Sequence, residues 1–305
     1  MTILTPDAWK ESLVSRHYIP TPEITIALSL AQSLEKPLLV EGPPGAGKTF
    51  LARTAAHILE ASFIRLQCYE GIDASQALYE YHYAKQLLYI NALREPLAAI
   101  LGQRSFDQAV AELEELLPLW GTPFLTRRPV LEALDPADHK PRVLLIDEID
   151  RADREFEALL LEPLSEFSLS IPEFGTIQAV QKPLVILTSN RSRELSDALR
   201  RRCLYVWIEL PDRQREAAII QSQVPQASES FAKDVAEFLA SYRHAKPHHL
   251  PSIAEAVELA TALCLTGENP RPLTPDNVDE TLPIFAKHPR DMALGRQIAE
   301  RKSRP

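Results

Sequence analysis

Residues 42–49 read GPPGAGKT, a glycine and lysine spacing of the form G-x-x-x-x-G-K-T with no misfit. Such a loop wraps its backbone N–H groups around phosphate oxygens, and side chains would block that approach. The chain has only 9 glycines, and three of them, Gly42, Gly45 and Gly47, fall here. Pro43, Pro44 and Ala46 lie between them and Phe50 lies just beyond. Lys48 has the reach for the β- and γ-phosphates of a nucleotide, and Thr49 offers a hydroxyl to Mg2+. The helix expected next would point its positive end at the anion.

Residues 143–150, VLLIDEID, set four apolar residues ahead of Asp147 and Glu148. At the end of a buried strand beside the phosphate loop, Asp147 would hold the cation, often through water. Glu148 would then orient and deprotonate an attacking water. A base for water points to hydrolysis of ATP. GTP specificity would want an Asn-Lys-x-Asp element after a strand, and the sequence has none. The following apolar run ends LTSN, so Asn190 would emerge between the two phosphate-side elements, its amide near the water or the γ-phosphate. Arg200, Arg201 and Arg202 stand in a row before the last apolar run. They suit a solvated helix end that complements the helix dipole, or a cation lent to a neighbouring subunit.

The elements that must position these residues follow from the hydrophobic pattern. Strand-like runs occupy residues 36–42, 62–68, 142–148, 183–190 and 203–210. Several are apolar at nearly every position, which suits parallel strands covered by helices on both faces. Helical patterns fill the gaps, one opening at Thr21 and Pro22, another running from Arg154 to Phe167. After Pro211 strand signals stop. Helices are expected after Ser228, after Ser252 with its S-x-x-E capping box, and after Thr274. The expected division is an α/β nucleotide-binding core with an N-terminal linker over residues 1–211, a smaller all-α lid over 212–288, and a basic, mobile tail over 289–305. Residues 71–140 exceed what strand–helix alternation needs, and FDQAVAELEELLPLW within them has an amphipathic helical pattern.

The net charge is −9 and charged residues make up 25% of the chain. That argues against broad binding to nucleic acid or anionic membranes. The three cysteines, Cys68, Cys203 and Cys264, lack metal-site spacing and read as small buried hydrophobes. Adjacent His248 and His249 would not share a helix face, so a metal role for them is disfavoured. Signal-peptide and membrane-spanning patterns are missing, and the expected location is cytoplasmic.

The order of these motifs resembles the AAA+ ATPases, and more narrowly their MoxR group. EGPPGAGKT, LLIDEIDRADREFEALLLEPLSEF, IPEFGTI and LTSNRSRELSDALRRRC carry the likeness, while residues 63–88 resemble the group's CoxD-like branch. The resemblance covers about residues 15–265. It implies five parallel core strands, a helical lid, adenine near residues 18–20, and assembly into a homo-oligomeric ring, usually a hexamer. It further implies a chaperone-like role in remodelling or maturing a client such as a metalloenzyme, with a partner carrying a von Willebrand factor A-type domain. Residues 168–180 read as a hairpin around Gly175. In such families the arginine before the fifth strand completes a neighbour's site, and Arg202 matches best, Arg201 next. An expected lid arginine is replaced by Ser252, with Arg243 or Lys246 as substitutes. Two other readings remain: a nucleotide-gated scaffold with little turnover, and a DNA-remodelling motor, which the acidic balance disfavours.

Overall fold

A computed structural model of the chain describes residues 3–95, 119–135, 140–265 and 270–302, with residues 105 and 108. Its strands are β1 (Leu38–Glu41), β2 (Ser62–Gln67), β3 (Tyr79–Tyr81), β4 (Leu125–Arg127), β5 (Arg142–Asp147), β6 (Ser168–Ile171), β7 (Gly175–Gln178), β8 (Leu184–Ser189) and β9 (Leu204–Trp207). Five of them form one parallel sheet in the order β2-β5-β8-β1-β9. The continuous apolar runs have their cause here, because alternate side chains enter two different cores. Val143 and Leu145 of β5 join Leu38, Val40, Ile186 and Val206 on one face. Leu144 and Ile146 join Leu39, Ile64, Leu66 and Leu187 on the other.

The sheet order places β8 between β5 and β1, so the strand bearing Asn190 is flanked by those bearing the acidic pair and the phosphate loop. The registers then align their carboxyl ends. Glu41 lies opposite Ser189, and Gln67 opposite Asp147. Each strand thus delivers its next residues to the same edge of the sheet, where a ligand is expected in an open α/β fold.

The helix Lys48–Ile58 starts directly from the glycine loop. The expected helix over 154–167 is instead two, Arg154–Leu159 and Leu161–Glu166. Pro163 explains the break, since it has no N–H to continue the ladder of the first segment. The hairpin at 168–180 is β6 paired with β7, Ile171 opposite Gly175. Residues 71–95 and 119–135 hold a second small ribbon, β3 with β4, and an aromatic cluster in which Tyr81 meets Trp120 edge-on at 5.2 Å. The amphipathic pattern at 106–120 lies almost wholly outside the described residues.

From Arg213 onward the described residues are helical: Arg213–Gln223, Glu229–His244, Ile253–Cys264, Pro275–Phe285 and Pro289–Lys302. They enclose their own core, built around Phe238, Tyr242, Leu259 and Phe285. The Ser252–Glu255 capping box forms in both directions, and Thr274 caps the next helix through the Asn277 N–H. The stretch from residue 289, expected as a mobile basic tail, is a helix whose Ile298 and Ala299 are buried against this core. Its charged residues mask a narrow apolar stripe, which packing rather than composition reveals. No helix among the described residues is long and apolar enough to cross a membrane.

Candidate functional site

Where β1 ends, the chain passes through residues 42–47 into the helix Lys48–Ile58. Gly42 touches the carbonyl of Ile208, and a Cβ there would fall 2.1 Å from that oxygen. Gly45 has φ +76°, and a Cβ on it would fall 2.1 Å from the Ser252 Cβ. Only glycine fits both the left-handed backbone and the close approach of the lid-side helix. That helix is anchored to the loop, since the Ile253 N–H donates to the Gly45 carbonyl at 3.3 Å.

A cleft of about 410 Å³ opens at this edge, lined by loop residues, by Lys48, Thr49, Asp147, Glu148 and Asn190, and by Ile253 from the helical region. Lys48 is buried, and its Nζ donates to the Gly42 carbonyl at 2.8 Å, the Pro43 carbonyl at 2.9 Å and Asn190 Oδ1 at 2.7 Å. Burial pulls its pKa below the ordinary amine value, while Asp150, Asp147 and Glu148 pull it back up. The Asn190 amide in turn donates to Glu148 Oε1 at 3.2 Å. Lysine, asparagine and glutamate therefore form one hydrogen-bonded chain across three strands' ends.

Thr49 donates its hydroxyl to both Asp147 oxygens at 3.2 Å. Thr188 donates to Asp147 Oδ1 at 2.5 Å and accepts the Glu148 N–H at 2.9 Å. Arg65 of β2 places Nε 2.9 Å and Nη2 2.6 Å from Asp147 Oδ2. Glu148, with φ +55°, leaves the strand direction sharply, and Gln67 Nε2 at 3.2 Å and Arg151 Nε at 2.9 Å hold its Oε2. Asp150 accepts the Asn190 N–H at 3.2 Å, the Ser192 N–H at 2.8 Å and the Ser192 hydroxyl at 2.6 Å, fixing the loop after β8.

Beside the phosphate side runs a smaller apolar recess formed by Tyr18, Ile19, Phe50, Ile219 and Ile253. Arg215 holds the Ile19 carbonyl with Nε at 3.2 Å and Nη2 at 2.8 Å. The Tyr18 hydroxyl is buried without a hydrogen-bond partner, and burial pushes its pKa up. This recess is where the resemblance places adenine.

The three arginines diverge. Arg200 Nη2 lies 3.3 Å from Oε1 of Glu41, a buried carboxylate that Arg191 Nε approaches at 3.7 Å. Arg202 donates to the Ser165 hydroxyl and, through Nη1, to the Ala198 carbonyl at 2.9 Å. Arg201 is exposed and its side chain meets no partner among the described residues. Arg243 does not reach the cleft. It grips Glu216 with both Nη atoms, at 2.8 and 2.6 Å, and braces the helical region. His248 and His249 both donate backbone N–H groups to the buried Asp291, and the His248 and His288 rings stack at 4.4 Å. That arrangement uses the carboxylate as a loop anchor. Burial pushes the Cys68 and Cys203 thiols up to about 12, leaving them poor nucleophiles.

Arg65, Gln67, Thr188, Asp150 and Glu41 escape sequence reasoning. The one available signal is in β2, where Arg65 and Gln67 sit two apart on an otherwise apolar strand and so share a face.

Residues 37–203, more than half of the chain, match the family model described as AAA domain (dynein-related subfamily). The chain belongs to this AAA family. It is 26% identical to spastin of Ixodes scapularis over 239 residues, 76% of this chain and 29% of that protein. It is 53% identical to 26S proteasome regulatory subunit 8 of Caenorhabditis elegans over 45 residues, 15% of this chain and 10% of that protein. The chain thus spans less than a third of the length of these curated relatives. The AAA match covers β1 through the three arginines, the same stretch that builds the phosphate side of the cleft.

Proposed function

We propose that this AAA protein hydrolyses ATP with Mg2+ and uses the cycle to remodel a partner protein, as a ring-forming member of the MoxR type. The observation that carries the ATPase reading is the hydrogen-bonded chain Lys48–Asn190–Glu148 standing beside the Thr49–Asp147 pair. Lys48 and the helix start supply positive charge for the β- and γ-phosphates. Glu148 is the base for water, and Asn190 holds it in relation to Lys48. The donor set suits magnesium, since a buried carboxylate and a hydroxyl offer hard oxygens and the spot already attracts a cation, Arg65. Thr49 and Asp147 would hold the ion, which supplies charge neutralisation on the phosphates. The remodelling role, a von Willebrand factor A-type partner, a metalloenzyme client and a cytoplasmic setting rest on the motif resemblance.

Two variants test the chemistry. Lys48→Ala should lose nucleotide binding, and Glu148→Gln should keep binding but lose turnover by about 10²–10⁴-fold, as expected for removal of a general base. Equilibrium binding of a fluorescent ATP analogue, with phosphate release measured alongside, checks both. Unchanged turnover in Glu148→Gln would refute its role.

A further inference from the structure

Asp147 is the most enclosed carboxylate of the cleft, with its side chain 4% exposed. Its desolvation is offset by the groups that donate to it, and a counter-charge adds most to that offset because a charge-assisted hydrogen bond is the stronger kind. Lys48 does not provide that counter-charge directly, since its three donors end on two loop carbonyls and Asn190. Arg65 does, through two N–H groups on Asp147 Oδ2 at 2.9 and 2.6 Å. We infer that Arg65 is a resident counter-ion at the metal position, which neutralises Asp147 in the nucleotide-free chain and competes with Mg2+ for it.

Four features support competition rather than permanent pairing. The Arg65 side chain is 44% exposed whereas Asp147 is enclosed, so the cation can leave into solvent without opening the core. Thr49 lies 3.2 Å from both Asp147 oxygens; Thr188 takes Oδ1 and Arg65 takes Oδ2, so the arginine occupies the oxygen that Thr188 leaves for a cation beside the threonine. Arg65 Nη2 also donates to Gln67 Oε1, and this outward partner remains available when Asp147 is given up. Finally, a guanidinium and a divalent ion on one carboxylate oxygen would repel each other at contact distance.

The inference rests on the reading of Thr49 and Asp147 as the metal-holding pair, and the two fail differently. A non-hydrolysable ATP analogue is titrated into full-length protein, first in EDTA and then at graded Mg2+. Arg65→Met removes the charge while keeping chain length, and Arg65→Lys keeps a charge without the forked geometry. In Arg65→Met the Mg2+ midpoint should fall about fivefold, the upper range for a partly exposed ion pair. Its metal-free nucleotide affinity should also fall, because Asp147 then faces the phosphates unneutralised. Arg65→Lys should lie between the parent and Arg65→Met. These opposite signs distinguish competition from a structural role, which would weaken both together. A Mg2+ midpoint that is unchanged or raised in Arg65→Met, with a melting temperature like the parent's, overturns the inference. If the parent itself binds nucleotide without any response to Mg2+, the reading of Thr49 and Asp147 falls, and the inference with it.

Discussion

Lys48 is an amine with three donors, and the fold gives it three oxygens, two of them carbonyls of its own loop. It is therefore pre-placed for a polyanion; burial pulls its pKa below the ordinary amine value, against the upward pull of Asp150, Asp147 and Glu148. The opposite design appears at Asp150. Burial raises its carboxyl, but hydrogen bonds from Ser192 and Asn190 outweigh burial and hold the pKa below the ordinary value. A carboxylate depressed in the fold stabilises it above the unfolded pKa, and that contribution is lost as pH falls through the folded value. Asp150→Asn should therefore be less stable than the parent near neutral pH by about 1–3 kcal/mol, the usual cost of a mismatched buried acceptor. The gap should close in acid, below the carboxylate range, where the parent is protonated too. Urea midpoints at the two pH values check this, and a gap equally wide in acid would show that the charge is irrelevant.

At the scale of elements, the glycine loop and the helix Ile253–Cys264 form one unit, because Gly45 and Ser252 lie closer than any side chain allows. Gly45→Ala places a Cβ into that contact and into a left-handed backbone, a strain of about 1–2 kcal/mol before the clash is counted. The loop and the helix should separate, nucleotide affinity should drop by about tenfold or more, and far-UV circular dichroism should stay unchanged. Affinity equal to the parent's would mean that the helix does not press on the loop. The sheet itself is legible from the sequence: the runs at 36–42, 142–148 and 183–190 are apolar because their strands are buried on both faces, whereas those at 62–68 and 203–210 form the half-buried edge strands. The helix Arg213–Gln223 is not legible, because its buried positions include Glu216 amid polar residues and only the Arg243 fork explains that carboxylate. The β3–β4 ribbon has three-residue strands, too short for an alternation to register. Motif residues such as Lys48 and Asp147 are visible because their spacing is local. Arg65 and Asp150 are not, because their roles come from register and loop closure between distant segments.

At the scale of the whole molecule, the cleft is short of positive charge. Lys48 is the cation among the described residues lining it, Arg65 and Arg151 are engaged by Asp147 and Glu148, and Ser252 stands where a lid arginine is expected from the motif resemblance. A phosphoryl group in transfer needs more compensation than that, and an arginine from outside contributes ~10³–10⁵ in rate where one is used. Within this chain Arg200 is engaged by Glu41 and Arg202 by Ser165 and the Ala198 carbonyl. Arg201 is exposed beside them, without a side-chain partner among the described residues. The sequence order favours Arg202 as the donated cation, whereas the hydrogen bonding leaves Arg201 the freer of the two to enter a neighbour's cleft. Arg201→Ala should then lower turnover about 10³-fold while nucleotide binding persists, and Arg202→Ala should cost less. Mixing Arg201→Ala with Glu148→Gln copies should restore part of the activity, because the second variant still lends its arginine to the first variant's intact base. Phosphate release from such mixtures, with assembly size followed by light scattering, decides the matter. Mixtures that assemble yet stay inactive would rule out donation of Arg201 between subunits.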